Sequence, residues 1–218
     1  MAKLNIVGIG PGSADYVTPA AKNAVQNAQL LIGAPRSLSL FTQTEGSEQA
    51  VLTAKNLPDL LKKAAETIKA GKEVVLLSTG DPGFSGLLHT ALESGLFDPH
   101  DITVVPGVSS LQVCAARLCI SWDNARLFTF HEGDVSDDAK SKLVSAYQCA
   151  RTILLLPAQK GFTPKDIATL LLDAGANKQS PVFICENLTL NNEKITQTTL
   201  EKTADQKFGP LCVMVIKQ

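Results

Sequence analysis

Residues 73–84 read Glu-Val-Val-Leu-Leu-Ser-Thr-Gly-Asp-Pro-Gly-Phe, and their pattern decides the fold class. Val74, Val75, Leu76 and Leu77 form an unbroken apolar run, without the alternation of a half-exposed strand. A strand buried on both faces of a parallel sheet carries such a run. The run stops at Ser78, and Thr79-Gly80-Asp81-Pro82-Gly83 is a dense turn signal. Asp81 before Pro82 reads as the cap of a helix that continues to Glu93 and ends at Gly95. Buried strand, loop and helix in succession are the building unit of an α/β layer.

The unit recurs in both directions. Upstream, apolar residues at helical spacing (Leu57, Leu60, Leu61, Ala64, Ala65, Ile68) predict a helix over 57–70. A buried strand is expected at 4–9, then a helix over 20–28 with Thr18 as cap and Pro19 at its first position, then a strand at 29–32. Downstream, a strand at 102–105 breaks at Pro106-Gly107, and a helix follows over 109–118. The pattern pauses over 119–125, where Trp122 stands, and resumes with strand 127–130, helix 136–150, strand 152–156, helix 164–174 and strand 181–185. Thr163 caps the second of these helices, with Pro164 first inside and Asp166 in its first turn. Asn191-Asn192 marks a hairpin turn between 185–190 and 194–199, and 211–216 is a last buried strand. The expected fold is α/β, with two α/β domains of mostly parallel sheet and an antiparallel hairpin in the second. The domains are expected at 1–118 and 125–218, joined by a linker at 119–124.

Composition narrows the function. The chain has 218 residues, 44% hydrophobic and 19% charged, which excludes wholesale disorder. A formal net charge of −1 and 5% aromatic residues argue against nucleic-acid partners. No apolar run approaches a membrane span, and the N-terminal apolar stretch is too short for a signal-peptide core, so a cytoplasmic location is expected. Five cysteines without a CxxC pair, and three histidines in no zinc pattern, point to no metal and to reduced, mostly buried thiols.

The chemistry-bearing residues cluster at strand ends. Gly8-Ile9-Gly10-Pro11-Gly12-Ser13 follows the first strand but fails the dinucleotide pattern. Ser13 stands where a third glycine is needed, Pro11 removes a backbone donor, and the second strand ends Leu31-Ile32-Gly33 without a ribose-binding acid. Asp81 offers a carboxylate to a ligand amine or hydroxyl. Pro106-Gly107-Val108-Ser109-Ser110 brings backbone N–H groups and two hydroxyls to a helix start. Cys185-Glu186-Asn187 and His131-Glu132-Gly133-Asp134 follow two further strands. There is no GxSxG elbow and no Walker loop.

In this order and spacing, the GxGPG loop (8–12), Gly80-Asp81-Pro82, the Pro-Gly-Val-Ser-Ser turn (106–110) and Glu186-Asn187 resemble the tetrapyrrole methylase family from Leu4 to about Ile216. Within it, residues 78–86 and 106–126, with Arg117-Leu118 and Trp122-Asp123, are most similar to the branch that methylates carbon 5 of precorrin-7 or cobalt-precorrin-7. One position departs: that branch carries His-Gly-Arg where this chain has His131-Glu132-Gly133. The resemblance implies S-adenosylmethionine (SAM) as cofactor, held between two domains, a homodimer, and C-methylation of a small tetrapyrrole of cobalamin biosynthesis. A pathway partner for the ring's other methylation and its decarboxylation is compatible with the resemblance, and the sequence leaves that open. SAM contacts carry over to Pro11, Asp81, Phe84, Val108, Ser109, Ser110, Leu156, Pro157, Cys185 and Leu211. His131 and Glu186 are the candidate proton acceptors, and Arg36 and Arg117 the leading candidates for substrate carboxylates, ahead of Arg126 and Lys160. The rivals are methylation of uroporphyrinogen or another precorrin, methylation of a protein side chain as in diphthamide synthesis, a nicotinamide oxidoreductase, and a SAM-binding homologue without catalysis.

Overall fold

The computed structural model describes residues 2–41, 46–131, 135–149 and 151–217. The chain divides into two compact units, Met1–Ser109 and Ser110–Gln218.

The first unit is built from β1 (Leu4–Gly8), α1 (Pro19–Gln26), β2 (Leu30–Gly33), α2 (Pro35–Leu38), β3 (Glu48–Val51), α3 (Leu57–Lys69), β4 (Val74–Ser78), α4 (Leu87–Glu93) and β5 (Ile102–Val105). The sheet is parallel throughout, in the order β3-β2-β4-β1-β5. The apolar runs alternate between two cores. Val7, Leu31, Val75 and Leu77 pack with Ala21 and Val25 of α1, whereas Ile6, Leu30, Ile32 and Leu76 pack with Leu61 and Ala64 of α3 and Ala91 of α4. The neighbouring strands β1 and β4 are therefore followed by helices on opposite faces, the arrangement that opens a ligand crevice at the carboxyl edge of a parallel sheet. Helix α1 starts as expected, with Thr18 Oγ1 accepting from the Ala21 N–H at 3.1 Å.

Asp81 departs from the expectation. Helix α4 begins only at Leu87, so Asp81 caps no helix, and residues 81–86 form turns and bends instead. Strand β3 and helix α2 carry no sequence signal: β3 is a largely exposed edge without an apolar run, and α2 is a single turn.

The second unit comprises α5 (Ser110–Arg117), β6 (Arg126–Thr129), α6 (Asp137–Gln148), β7 (Ile153–Leu156), α7 (Pro164–Asp173), β8 (Pro181–Glu186), β9 (Lys194–Thr199), α8 (Leu200–Ala204) and β10 (Cys212–Ile216). The sheet order is β6-β7-β10-β8-β9. Only β6 and β7 are parallel; β10 enters between β7 and β8 antiparallel to both, and β8 and β9 form the hairpin. Ile153, Leu155, Val182, Ile184, Met214 and Ile216 face Leu143 of α6 and Ile167, Ala168 and Leu171 of α7. Helix α5 belongs to this unit, where it packs on β7 and β10. The division therefore falls ahead of the 119–124 segment, and a helix that the sequence reading left with the first half joins the second.

Tyr147 at the end of α6 ties this unit together. Its hydroxyl lies 2.7 Å from Ser180 Oγ and accepts from the Asn177 N–H at 3.0 Å. Tyr147→Phe is expected to cost about 1–2 kcal/mol. In a thermal melt that lowers Tm by about 2–8 °C without changing ligand binding.

Candidate cofactor site

The loops after β1, β4 and β5 meet at the carboxyl edge of the first sheet. Ile9 N–H donates to Ser78 O at 3.0 Å, and Gly80 N–H donates to Gly10 O at 2.9 Å. Gly8, Gly80 and Gly107 leave no room between their backbones. A Cβ on Gly8 would lie 2.5 Å from Gly107 N and 2.8 Å from Gly80 O, both backbone atoms that cannot give way. Gly10 and Gly80 have φ of +78° and +71°, a conformation that glycine adopts at no steric cost.

Asp81 joins two of these loops. Its Oδ1 accepts from Gly83 N–H at 2.8 Å, and its Oδ2 accepts from Gly107 N–H at 3.0 Å, across 26 residues of sequence. The carboxylate is half-buried. Pro11 is buried, while Phe84, Val108, Ser109 and Ser110 are half-buried around the same loops and the start of α5. This edge suits a ligand with a positive centre. A pyrophosphate wants free backbone donors and no carboxylate; here Pro11 removes one donor and Asp81 supplies a negative charge.

In the second unit, Leu156 ends β7 half-buried and Pro157 after it is buried. Cys185 is fully buried, with its Sγ 3.3 Å from Cys114 Sγ of α5. The hydrogen bond with Cys185 and burial together hold the Cys114 thiol well above the usual thiol range, and burial pushes Cys212 up to about 12. All five cysteines are free; Cys119 and Cys149 are exposed, against the expectation that most would be buried. Glu186 Oε1 accepts from Gly209 N–H at 2.7 Å, and Asn187 N–H donates to Leu211 O at 2.9 Å. The end of β8 is thereby tied to the segment that carries Leu211, itself exposed.

The basic candidates separate. Arg36 is half-buried on α2, directly after the carboxyl end of β2, and among the described residues it forms no ion pair. Arg117 instead donates from Nε to Glu193 Oε1 at 2.8 Å. Glu193 also accepts from Thr189 N–H at 2.6 Å. The Arg117 hydrogen bond, then that from Thr189, hold the Glu193 carboxyl below the usual range. Sequence reading missed Glu193, because a glutamate in a polar hairpin connection carries no local signal. His131 is exposed just after β6. Glu132, Gly133 and Asp134 lie outside the described residues. Among the described residues no group of three or more His, Cys, Asp or Glu is placed to hold a metal, and no helix is long and apolar enough to cross a membrane.

Fold and loops together give a two-unit α/β protein whose strand-end loops after β1, β4 and β5 converge at one sheet edge. The sequence matches the family Tetrapyrrole (Corrin/Porphyrin) Methylases over residues 3–204. It is 38% identical to the probable cobalt-precorrin-7 C(5)-methyltransferase of Methanocaldococcus jannaschii, over 96% of this chain and 95% of that protein. The cobalt-precorrin-7 C(5)-methyltransferase of Salmonella typhimurium is 31% identical over 88% of each chain. A uroporphyrin-III C-methyltransferase from Thermus thermophilus, crystallised in complex with S-adenosylhomocysteine, shares the fold. It has a TM-score of 0.76 at 22% identity, over 99% of this chain and 92% of that one. The chain belongs to the tetrapyrrole methylase family and is a methyltransferase.

Proposed function

We propose that this protein is a SAM-dependent C-methyltransferase of cobalamin biosynthesis that methylates carbon 5 of precorrin-7 or cobalt-precorrin-7. The carrying observation is the loop cluster, with Gly8, Gly80 and Gly107 in backbone contact and Asp81 joining two loops. The likeness over most of the chain to two proteins named cobalt-precorrin-7 C(5)-methyltransferase, one of them as probable, supports the choice of substrate.

Pro11, Asp81, Phe84, Val108, Ser109 and Ser110 are assigned to SAM contacts in the first loops, and Leu156, Pro157, Cys185 and Leu211 to contacts from the second unit. The bound sulfonium supplies an electrophilic methyl group. The protein's task is then mainly to hold two reactants in line, which contributes on the order of 7–11 kcal/mol without a catalytic triad. Asp81 places negative charge beside the cofactor loops. Arg36 is assigned to a carboxylate of the substrate. Arg117, whose Nε donates to Glu193, is the second candidate for such a carboxylate.

Proton removal from the methylated ring falls to His131 or Glu186. Replacing the acting one by alanine or glutamine, respectively, lowers kcat by about 10²–10⁴-fold and leaves SAM affinity intact. Single-turnover rates at saturating SAM check this. The same reading places a homodimer in the cytoplasm and leaves the remaining modifications of the ring to a partner protein.

Calorimetric titration with S-adenosylhomocysteine, with NADH as control, tests the cofactor assignment. One site per chain near −8 kcal/mol, the micromolar range, and no heat from NADH are expected. Absence of S-adenosylhomocysteine binding, or binding of NADH instead, overturns it.

A further inference from the structure

We propose that Glu193, paired with Arg117, is a positioning residue: it holds Thr189 in a left-handed conformation and so fixes the end of β8 for cofactor binding. This rests on the SAM reading above.

The connection between β8 and β9 runs against the conformational preference of its own residues. Asn187 has φ of 51° and Thr189 has φ of 69°. Asparagine tolerates this region, but for a β-branched threonine it is a genuine outlier that persists only when the surroundings impose it. The surroundings here are specific. Glu193 Oε2 accepts from Thr189 N–H at 2.6 Å, while Oε1 accepts from Arg117 Nε at 2.8 Å. Both carboxylate oxygens are thus engaged, one by the strained residue and one by α5. Helix α5 packs on β7 and β10, so Arg117 anchors the carboxylate to the body of the unit. Two turns close the segment, with Leu190 N–H donating to Asn187 O at 3.0 Å and Glu193 N–H to Leu190 O at 2.9 Å, and Leu188 within the first turn is buried.

The braced segment leads directly into the candidate site. Asn187 N–H holds Leu211 O, and Glu186 Oε1 holds Gly209 N–H. A change at Thr189 therefore reaches Cys185, Glu186 and Leu211 together. An exposed ion pair alone stabilises little. A carboxylate shared between a guanidinium and a backbone N–H is a charge-assisted pair of bonds and holds its geometry more firmly.

Four proteins test the proposal as full chains: Glu193→Ala, Glu193→Gln, Thr189→Gly, and the double variant Glu193→Ala with Thr189→Gly. Glu193→Ala is expected to weaken S-adenosylhomocysteine binding on the order of tenfold. Glu193→Gln, which keeps one acceptor, falls between it and wild type. The double variant recovers most of the loss, because glycine adopts positive φ without a brace. Amide exchange over 187–190 is expected to speed up in Glu193→Ala, whether or not ligand is present. Unchanged affinity in Glu193→Ala, no recovery in the double variant, or unchanged exchange overturns the brace. If wild type itself fails to bind S-adenosylhomocysteine, the cofactor reading falls, and the exchange rates still decide whether Glu193 holds the loop.

Discussion

Gly8→Ala is expected to abolish measurable S-adenosylhomocysteine binding and to destabilise the protein. The added methyl would stand 2.5 Å from Gly107 N, 2.7 Å from Gly107 Cα and 2.8 Å from Gly80 O. All three are backbone atoms, so no side-chain rotation relieves the overlap; the loops after β1, β4 and β5 must separate. Overpacking of this kind costs about 3 kcal/mol. For a chain of this size that is a fall in Tm of about 6–12 °C. The loss of binding follows from geometry, since displacing the loops by about 1 Å is enough to cost on the order of 100-fold. Gly175→Ala is the control. Gly175 has a positive φ, at +84°, which Gly8 does not, and a Cβ there meets nothing within 4 Å. It carries only the backbone strain, about 1 kcal/mol, and keeps wild-type affinity. Paired thermal melts and titrations check both; wild-type affinity in Gly8→Ala would place the cofactor elsewhere.

Asp81→Ala is expected to weaken S-adenosylhomocysteine binding by about 30–150-fold, from the loss of about 2–3 kcal/mol. Two backbone donors lose their acceptor. Water replaces it readily at exposed Gly83 and poorly at half-buried Gly107. Asp81→Asn is expected to be nearly as damaging. Its amide keeps one carbonyl acceptor but turns an NH₂ group toward the other N–H, setting donor against donor. The negative charge beside the proposed cofactor site is lost as well. Titration of both variants decides; an asparagine variant with wild-type affinity would show that neither the charge nor the second acceptor is used.

The first sheet was legible because burial writes itself into sequence. A run such as Val74–Ser78 fits only a strand covered on both faces, and the glycines after it mark where backbones come together. The Asn191-Asn192 turn likewise announced an antiparallel pair that ends in β9, but its first arm is β8 (Pro181–Glu186) and not 185–190, whose residues past Glu186 form the connection. What stayed hidden depends on distant residues. Insertion of β10 between β7 and β8 leaves no local trace, since its apolar run suits either strand direction. Asp81 carries the local signal of a helix cap, yet a donor at Gly107 claims it. Arg117 reads as a free cation until Glu193, 76 residues later, is found beside it. Cys114 and Cys185 are separated by 71 residues and meet only because α5 packs on the sheet. Strand β3 and helix α8 are short, and β3 is exposed, so neither shows the periodicity that sequence reading depends on.

The reaction proposed for this protein is methyl transfer from SAM to carbon 5 of the ring. Its most direct test is incubation of the full chain with cobalt-precorrin-7 and SAM labelled with ¹³C at the sulfonium methyl, followed by NMR of the isolated product. One labelled methyl per ring, bonded to carbon 5, is expected, with labelling slowed in proportion to the lost affinity when Asp81→Ala is used at low SAM. A label on another ring carbon, or an unlabelled ring despite bound SAM, would contradict it.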